Sequence, residues 1–186
     1  MLFRSKMVRL QQMTSGFTIM NDALIRIVGT EKRDALSELF DTIPQDEKVV
    51  VFCQFTRDLD TVRRVAEEYG REFGQISGER KDLDDEGKMP EHINVMAVQY
   101  QAGAVGIDLT RARFVVMFSQ TWNMGLYEQA LARVHRPGQN RTTHVYHLIC
   151  RGTIDAAIMN AIMEKKSVVD EVLENIEHIE EVADDF

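Results

Sequence analysis

The chain has 186 residues, 44 % of them apolar, with 22 Lys and Arg against 30 Asp and Glu and a net charge of −8. That length suits one domain burying an ordinary core without disulfide or metal staples, and no apolar run approaches the roughly 20 residues of a membrane span. Cys53 and Cys150 form no CxxC pair and each lies in an apolar run, which predicts buried, reduced thiols and a reducing compartment.

The first residues, MLFRSKMVRLQQM, hold no continuous apolar segment of the signal-peptide kind. Residues 5–15 put Met7, Leu10 and Thr14 on one face, which predicts a short helix ending near Gly16. FTIM and ALIRI flank Asn21-Asp22 as a hairpin would. Thr30 is the expected cap of a helix over 31–42 with Ala35, Leu36, Leu39 and Phe40 inward, stopped by Pro44. VVVFC (49–53) reads as a strand buried on both faces. Residues 56–70 follow with helical spacing of Leu59, Val62, Val65, Ala66 and Tyr69, closed by Gly70. Strands are expected at 73–77, 93–98, 114–119 and 143–150, and a helix over 124–135. The polar stretch 79–92 reads as an exposed loop or frayed helix, with Asp85-Glu86 in solvent. Residues 153–181 read as one long helix capped by Thr153. Ile154, Ile158, Ile162, Val169, Leu173 and Ile176 form its apolar stripe.

Strands alternating with helices predict an α/β fold, a mostly parallel sheet with helices on both faces. Ligands of such sheets gather at the carboxyl ends of the strands, here just after residues 53, 77, 98, 119 and 150. The expected organisation is a connecting segment over 1–30, a lobe over 31–150 and an acidic C-terminal helix over 151–186. That last segment holds ten acids and three bases, so residues 1–150 carry a net charge of only −1. The bulk acidity therefore does not argue against a polyanion bound by the lobe.

Within the lobe, QALARVHRPGQ (129–139) concentrates Arg133, His135 and Arg136 without an acid. On a helix, Gln129, Arg133 and Arg136 project from one face, and Pro137 ends the α conformation at Arg136. Two guanidiniums at a helix end can fork onto phosphate oxygens with fixed geometry. A solvated basic helix end is the plain alternative. Upstream, QAGAVGIDL (101–109) sets Gly103 and Gly106 three apart near a strand end, with Asp108 and Thr110 following. Small residues there admit an anion close to backbone N–H groups, or serve only a tight strand-to-helix turn.

The order KVVVFCQFTRDLD, INVMAVQYQAGAVGIDLTRARFVVMFSQTWN, YEQALARVHRPGQ resembles the second, RecA-like lobe of superfamily-two motors, nearest the Swi/Snf-type DNA-dependent ATPases. The resemblance spans 48–150 and extends into GTIDAAIMNAIMEKKSVVDEVL. RLQQMTSGF is similar to the segment joining the two lobes in phage and bacterial members, which sets the expected location in a bacterial cytosol or an infected host. The resemblance implies a three-layer RecA-like fold. It implies that Arg133 and Arg136 are the motif VI arginines reaching the ATP γ-phosphate, with Gln129, His135 and Gln139 as that motif's other positions. Gly103, Gly106 and Asp108 match motif V, which couples the nucleotide cleft to the nucleic-acid track. Gln54, Phe55 and Thr56 match motif IV at the DNA backbone, Gln99 lies at the start of the track segment before motif V, and Trp122-Asn123 match the pair between motifs V and VI. The chain departs from many relatives at Asp108, at Gln99-Tyr100, at Ala104 and at Met124.

A motor of this type needs a GxxxxGK loop ending in Ser or Thr, and an acidic pair after a strand. None of the eleven glycines starts such a loop. The expectation is a fragment, or a partner of a first lobe on another chain, with ATP and Mg held mainly by that first lobe and duplex DNA as the track. Two other classes remain: a Rossmann enzyme binding a cofactor pyrophosphate at QAGAVGID, and a non-catalytic RecA-like module for nucleic acid or protein.

Overall fold

The computed structural model describes residues 2–20, 24–102, 106–136, 139 and 141–164. Helix α1 (Leu2–Thr14) leads into a hairpin of β1 (Phe17–Met20) and β2 (Leu24–Ile27), paired antiparallel with Met20 opposite Leu24. Helix α2 (Glu31–Thr42) follows, then β3 (Val49–Cys53), α3 (Thr56–Glu68), β4 (Phe73–Ile76), β5 (Val95–Gln99), β6 (Phe114–Met117), α4 (Met124–Val134), β7 (His144–His147) and α5 (Ile154–Glu164).

Strands β3 to β7 form one parallel sheet in the order β4-β5-β3-β6-β7. The central strands, β3, β5 and β6, are apolar along nearly their whole length and rich in valine, because helices and packed chain cover both faces. One face packs Val49, Val51, Val95 and Val116 against Leu36 and Phe40 of α2 and Leu59, Val62 and Val65 of α3. The other packs Val50, Phe52, Val98, Val115 and Met117 against Ala130 and Val134 of α4. That second face is finished by irregular chain: Met89, Ile107, Leu109 and Ala112 are all buried there. The three-layer RecA-like α/β architecture expected from the sequence is the one observed.

Several local expectations change. Leu10 is 49 % exposed, and the inward residue of its turn is Gln11, whose Nε2 donates to Gln120 O at 2.7 Å. Thr30 begins α2 but its hydroxyl donates to Asp34 Oδ2 instead of accepting a backbone amide. Residues 79–92 form a loop, as expected, with Glu79, Arg80, Lys81, Glu91 and His92 exposed, but its middle is tied down. Asp84 Oδ1 accepts from the amides of Glu86 and Lys88, its carboxylate pairs with Arg111, and Met89 is fully buried. Asp85 and Glu86 do face solvent. Between Tyr100 and Phe114 no α-helix forms among the described residues, so the glycine turn does not open a helix. Thr153 does cap α5, its Oγ1 accepting from Asp155 N at 3.3 Å. The rest of the expected long helix, with Val169, Leu173 and Ile176, lies outside the described residues.

A second core joins α1 to α5. Met7 of α1 packs on Ile158, Ala161 and Ile162 of α5. Beside it, Lys32 and Asp155 form an ion pair at 2.6 Å with both side chains buried. Asp155 also accepts from Thr14 Oγ1 at 2.9 Å and Cys150 N at 3.2 Å. One carboxylate thus ties α1, α2, the end of the β7 segment and α5 together. Cys53 is buried and Cys150 only partly so, and both are free thiols.

Candidate nucleotide-cleft rim and nucleic-acid track

The residues singled out in the sequence fall into two groups at opposite edges of the sheet. Helix α4 starts beyond the carboxyl end of β6, where Asn123 Oδ1 accepts from Leu126 N as its cap. Strand β7 runs parallel to β6, so α4 must descend across the face and end at the amino edge. Its 11 residues span about 16 Å. The arginines therefore sit away from the carboxyl edge where a ligand was expected. The physical reason is the crossover itself: a helix between parallel strands returns the chain to the edge where the next strand begins.

At that amino edge, motif V and motif VI residues come together. Leu109 N donates to Arg133 O at 3.0 Å. Gln139 Nε2 donates to Thr110 O at 2.7 Å and to Ala112 O at 3.0 Å, pinning the end of the arginine segment on the chain just before β6. Gly106 adopts φ +65°, a conformation that a side chain disfavours. The 84–89 turn braces this chain from beneath: Asp108 N donates to Gly87 O at 2.9 Å and Met89 N to Asp108 O at 3.1 Å. Gly87 has φ +75°, and a Cβ there would meet Gly106 O at 3.0 Å. Sequence reasoning missed this brace. The signal was present as Asp84 followed three residues later by Gly87, an Asx-turn pattern.

The electrostatics of the rim are mixed. Burial and the neighbouring Arg136 charge both lower the pKa of Arg133. Arg136 donates Nε to Ala132 O at 2.9 Å, which folds it back along α4, and forms no salt bridge among the described residues. Burial alone would raise the Asp108 carboxyl. Hydrogen bonds from Thr110 Oγ1 and N, with the Arg136 and Lys88 charges, outweigh that and hold it below its ordinary value. Two part-buried guanidiniums with one carboxylate near them suit an anion with several oxygens. Gln129 and His135 are exposed on and just beyond α4. Gly103 lies outside the described residues.

At the carboxyl edge, Gln54, Phe55 and Thr56 form the turn from β3 into α3. Thr56 is exposed, and Phe55 packs edge-on against Phe17 of the hairpin at 5.6 Å. Gln99 closes β5, and Tyr100 beyond it stacks on Phe52. Trp122, just before the α4 cap at this same edge, packs partly buried against the α1–α5 core. The residue missed at this edge is Asp58, which is 1 % exposed on α3. Burial raises its pKa to about 6, against the opposing effects of the Ser119 hydrogen bond, the Phe55 amide and the Lys32 charge. Among the described residues no group of three or more His, Cys, Asp or Glu gathers as a metal site.

Comparison with known proteins bears directly on this arrangement. The family described as helicase conserved C-terminal domain matches residues 31–138. An uncharacterized ATP-dependent helicase of Mycoplasma pneumoniae is 32 % identical over 149 residues, covering 77 % of this chain and 14 % of that protein. The DNA repair protein RAD5 of Cryptococcus neoformans is 28 % identical over 171 residues, 87 % of this chain and 14 % of its own length. The chromatin-remodeling ATPase INO80 of Mus musculus is 31 % identical over 129 residues, 67 % and 8 % respectively. Among solved structures, the C-terminal part of the Fun30 ATPase domain superposes with a TM-score of 0.61 at 32 % identity, over 69 % of this chain and 44 % of that one. The chain thus spans less than a sixth of the length of these three curated relatives. The parallel sheet, the joined motif V and VI segments and these matches lead to one assignment: the chain belongs to the helicase conserved C-terminal domain family, with the fold of a second RecA-like lobe like those of the Swi/Snf-type relatives.

Proposed function

We propose that this lobe completes an ATP site whose phosphate cradle belongs to a first RecA-like lobe, and that it carries part of a duplex-DNA track. Arg133 and Arg136 are the groups that meet the γ-phosphate, with Gln129, His135 and Gln139 shaping that end of the segment and Gly106 and Asp108 transmitting its position. ATP with Mg, when bound, would supply the γ-phosphoryl group that closure brings onto Arg133 and Arg136, and its hydrolysis would reopen the cleft. What this chain contributes is charge: negative charge grows on the equatorial oxygens in transfer, and an inserted arginine is worth about 10³–10⁵ in rate. At the other edge Gln54, Phe55, Thr56, Gln99 and Trp122 face the nucleic acid, and the family resemblance assigns Gly103, outside the described residues, to the same track. Contacts there go to phosphate oxygens, so binding is salt-sensitive and indifferent to sequence.

The observation that carries this reading is the clamp of the arginine segment on the motif V chain through Leu109 N, Arg133 O and the two Gln139 bonds. A merely solvated basic helix end has no use for such anchoring. The test is Arg136→Ala in the assembled two-lobe protein. DNA-stimulated ATPase is expected to fall by about 10³-fold or more while ATP binding is largely kept. The chain by itself is expected to hydrolyse no ATP. An ATPase unaffected by Arg136→Ala would turn the assignment toward a binding module.

A further inference from the structure

Three strand ends meet at one buried serine. Ser119 lies just beyond β6 and is 1 % exposed. Its Oγ accepts from Gln54 N at 2.7 Å, at the end of β3, and donates to Asp58 Oδ2 at 2.6 Å. Its carbonyl accepts from Tyr100 OH at 3.2 Å, beyond the end of β5. Asp58 Oδ2 also accepts from Phe55 N at 3.1 Å. The amides of Gln54 and Phe55 are thereby held by one hydroxyl and one carboxylate. The carboxylate makes a reciprocal cap bond at the start of α3, and its bond with Ser119 is charge-assisted, short and shielded from water.

The position of this junction gives it more than a packing role. The chain from Ser119 runs through Gln120 and Thr121 to Asn123, the cap of α4. Helix α4 then carries Arg133 and Arg136 to the opposite edge. A buried network at one end of a rigid helix fixes where the other end lies. We propose that Asp58 and Ser119 are positioning residues that couple the nucleic-acid-facing turn at Gln54–Thr56 to the arginine-bearing helix, so that DNA held at the carboxyl edge is sensed at the ATP site. This rests on the function proposed above. Neither side chain touches DNA or nucleotide: Asp58 and Ser119 act by holding the Gln54 and Phe55 amides and the root of α4.

Asp58→Asn and Ser119→Ala, singly and together, test the coupling in the two-lobe protein, with Arg136→Ala beside them. The Asp58→Asn change keeps the shape of the side chain but removes the negative charge that strengthens both of its bonds. Each single change is expected to raise the DNA concentration for half-maximal ATPase stimulation about fivefold or more, and to leave the KM for ATP within about twofold. Because the two groups share one bond, the double variant is expected to equal the worse single. Effects that multiply, or folded variants with unchanged half-stimulation, overturn the proposal. If Arg136→Ala itself leaves hydrolysis intact, the failure lies in the underlying function instead. Amide hydrogen exchange on the unsubstituted protein gives a readout that needs no variant. The Gln54 and Phe55 amides are expected to exchange at least about 100-fold slower than unpaired amides. Exchange at the unpaired rate would also sink the junction.

Discussion

Two charged clusters in this lobe are built on opposite rules. Lys32 and Asp155 carry opposite signs, are fully buried, and are joined by Thr14 and Cys150. Arg133 and Arg136 carry like signs and lie partly open, and the Arg136 charge lowers the affinity of Arg133 for its proton. A buried opposite pair gives the fold a fixed joint between α2 and α5. The like pair sits at a partly open rim, where the Arg136 charge also helps hold the Asp108 carboxyl below its ordinary value. The contrast directs the search for function to the partly open cluster of neighbouring charges, not to the one with the most bonds.

The sharpest way to break the contrast is at the joint. Lys32→Met leaves Asp155 buried without its counter-charge and is expected to cost about 3–5 kcal/mol in denaturant unfolding. Replacing both partners by apolar residues of similar size is expected to recover much of that loss. If Lys32→Met costs under about 1 kcal/mol, the pair is not a structural joint.

Asp58 sharpens the comparison by being a buried charge of intermediate kind, hydrogen-bonded but in no ion pair among the described residues. Its folded pKa of about 6 lies above the ordinary 3.8. The folded state therefore holds a proton over that window while the unfolded chain does not. Its contribution to stability is fully present below the unfolded pKa and is lost as pH rises through about 6, by roughly 3 kcal/mol in all. Comparing unfolding of the parent and Asp58→Asn from pH 4 to 7 checks this. The variant is expected to lack that part of the slope, and parallel curves would refute it.

The smallest effect belongs to the open rim. At concentrations near its dissociation constant, inorganic phosphate is expected to add about 0.4 kcal/mol, a rise in Tm of about 1 °C. Arg136→Ala should abolish that rise while changing stability without phosphate by less than about 0.5 kcal/mol. Equal phosphate effects in both proteins would mean that the anion binds elsewhere.

How much was legible beforehand differs by element. Runs such as VVVFC and FVVM declare buried parallel strands because only a sheet covered on both faces tolerates so many consecutive apolar, β-prone residues. The α3 stripe of Leu59, Val62, Val65 and Ala66 was equally plain, and all four are buried. The joining of the motif V and VI segments was implied by family resemblance alone, since residues 106–110 and 133–139 have no local signal of contact. The polar stretch 79–92 read correctly as a loop, but composition did not reveal that an Asx turn, the Arg111 pair and one buried methionine pack its middle against the sheet. Asp58 was hidden among the charges of TRDLD, where nothing in the spacing separates a buried carboxylate from its more open neighbour Asp60.

Periodicity and residue type, being local, determined the elements, their chain order and the two-faced sheet. Only the tertiary structure decided which edge the arginines occupy, that Lys32 meets Asp155, and that Ser119 gathers three strand ends. Those are contacts between residues tens of positions apart. Their energies depend on burial and on the direction of a few donors and acceptors, which no local pattern encodes.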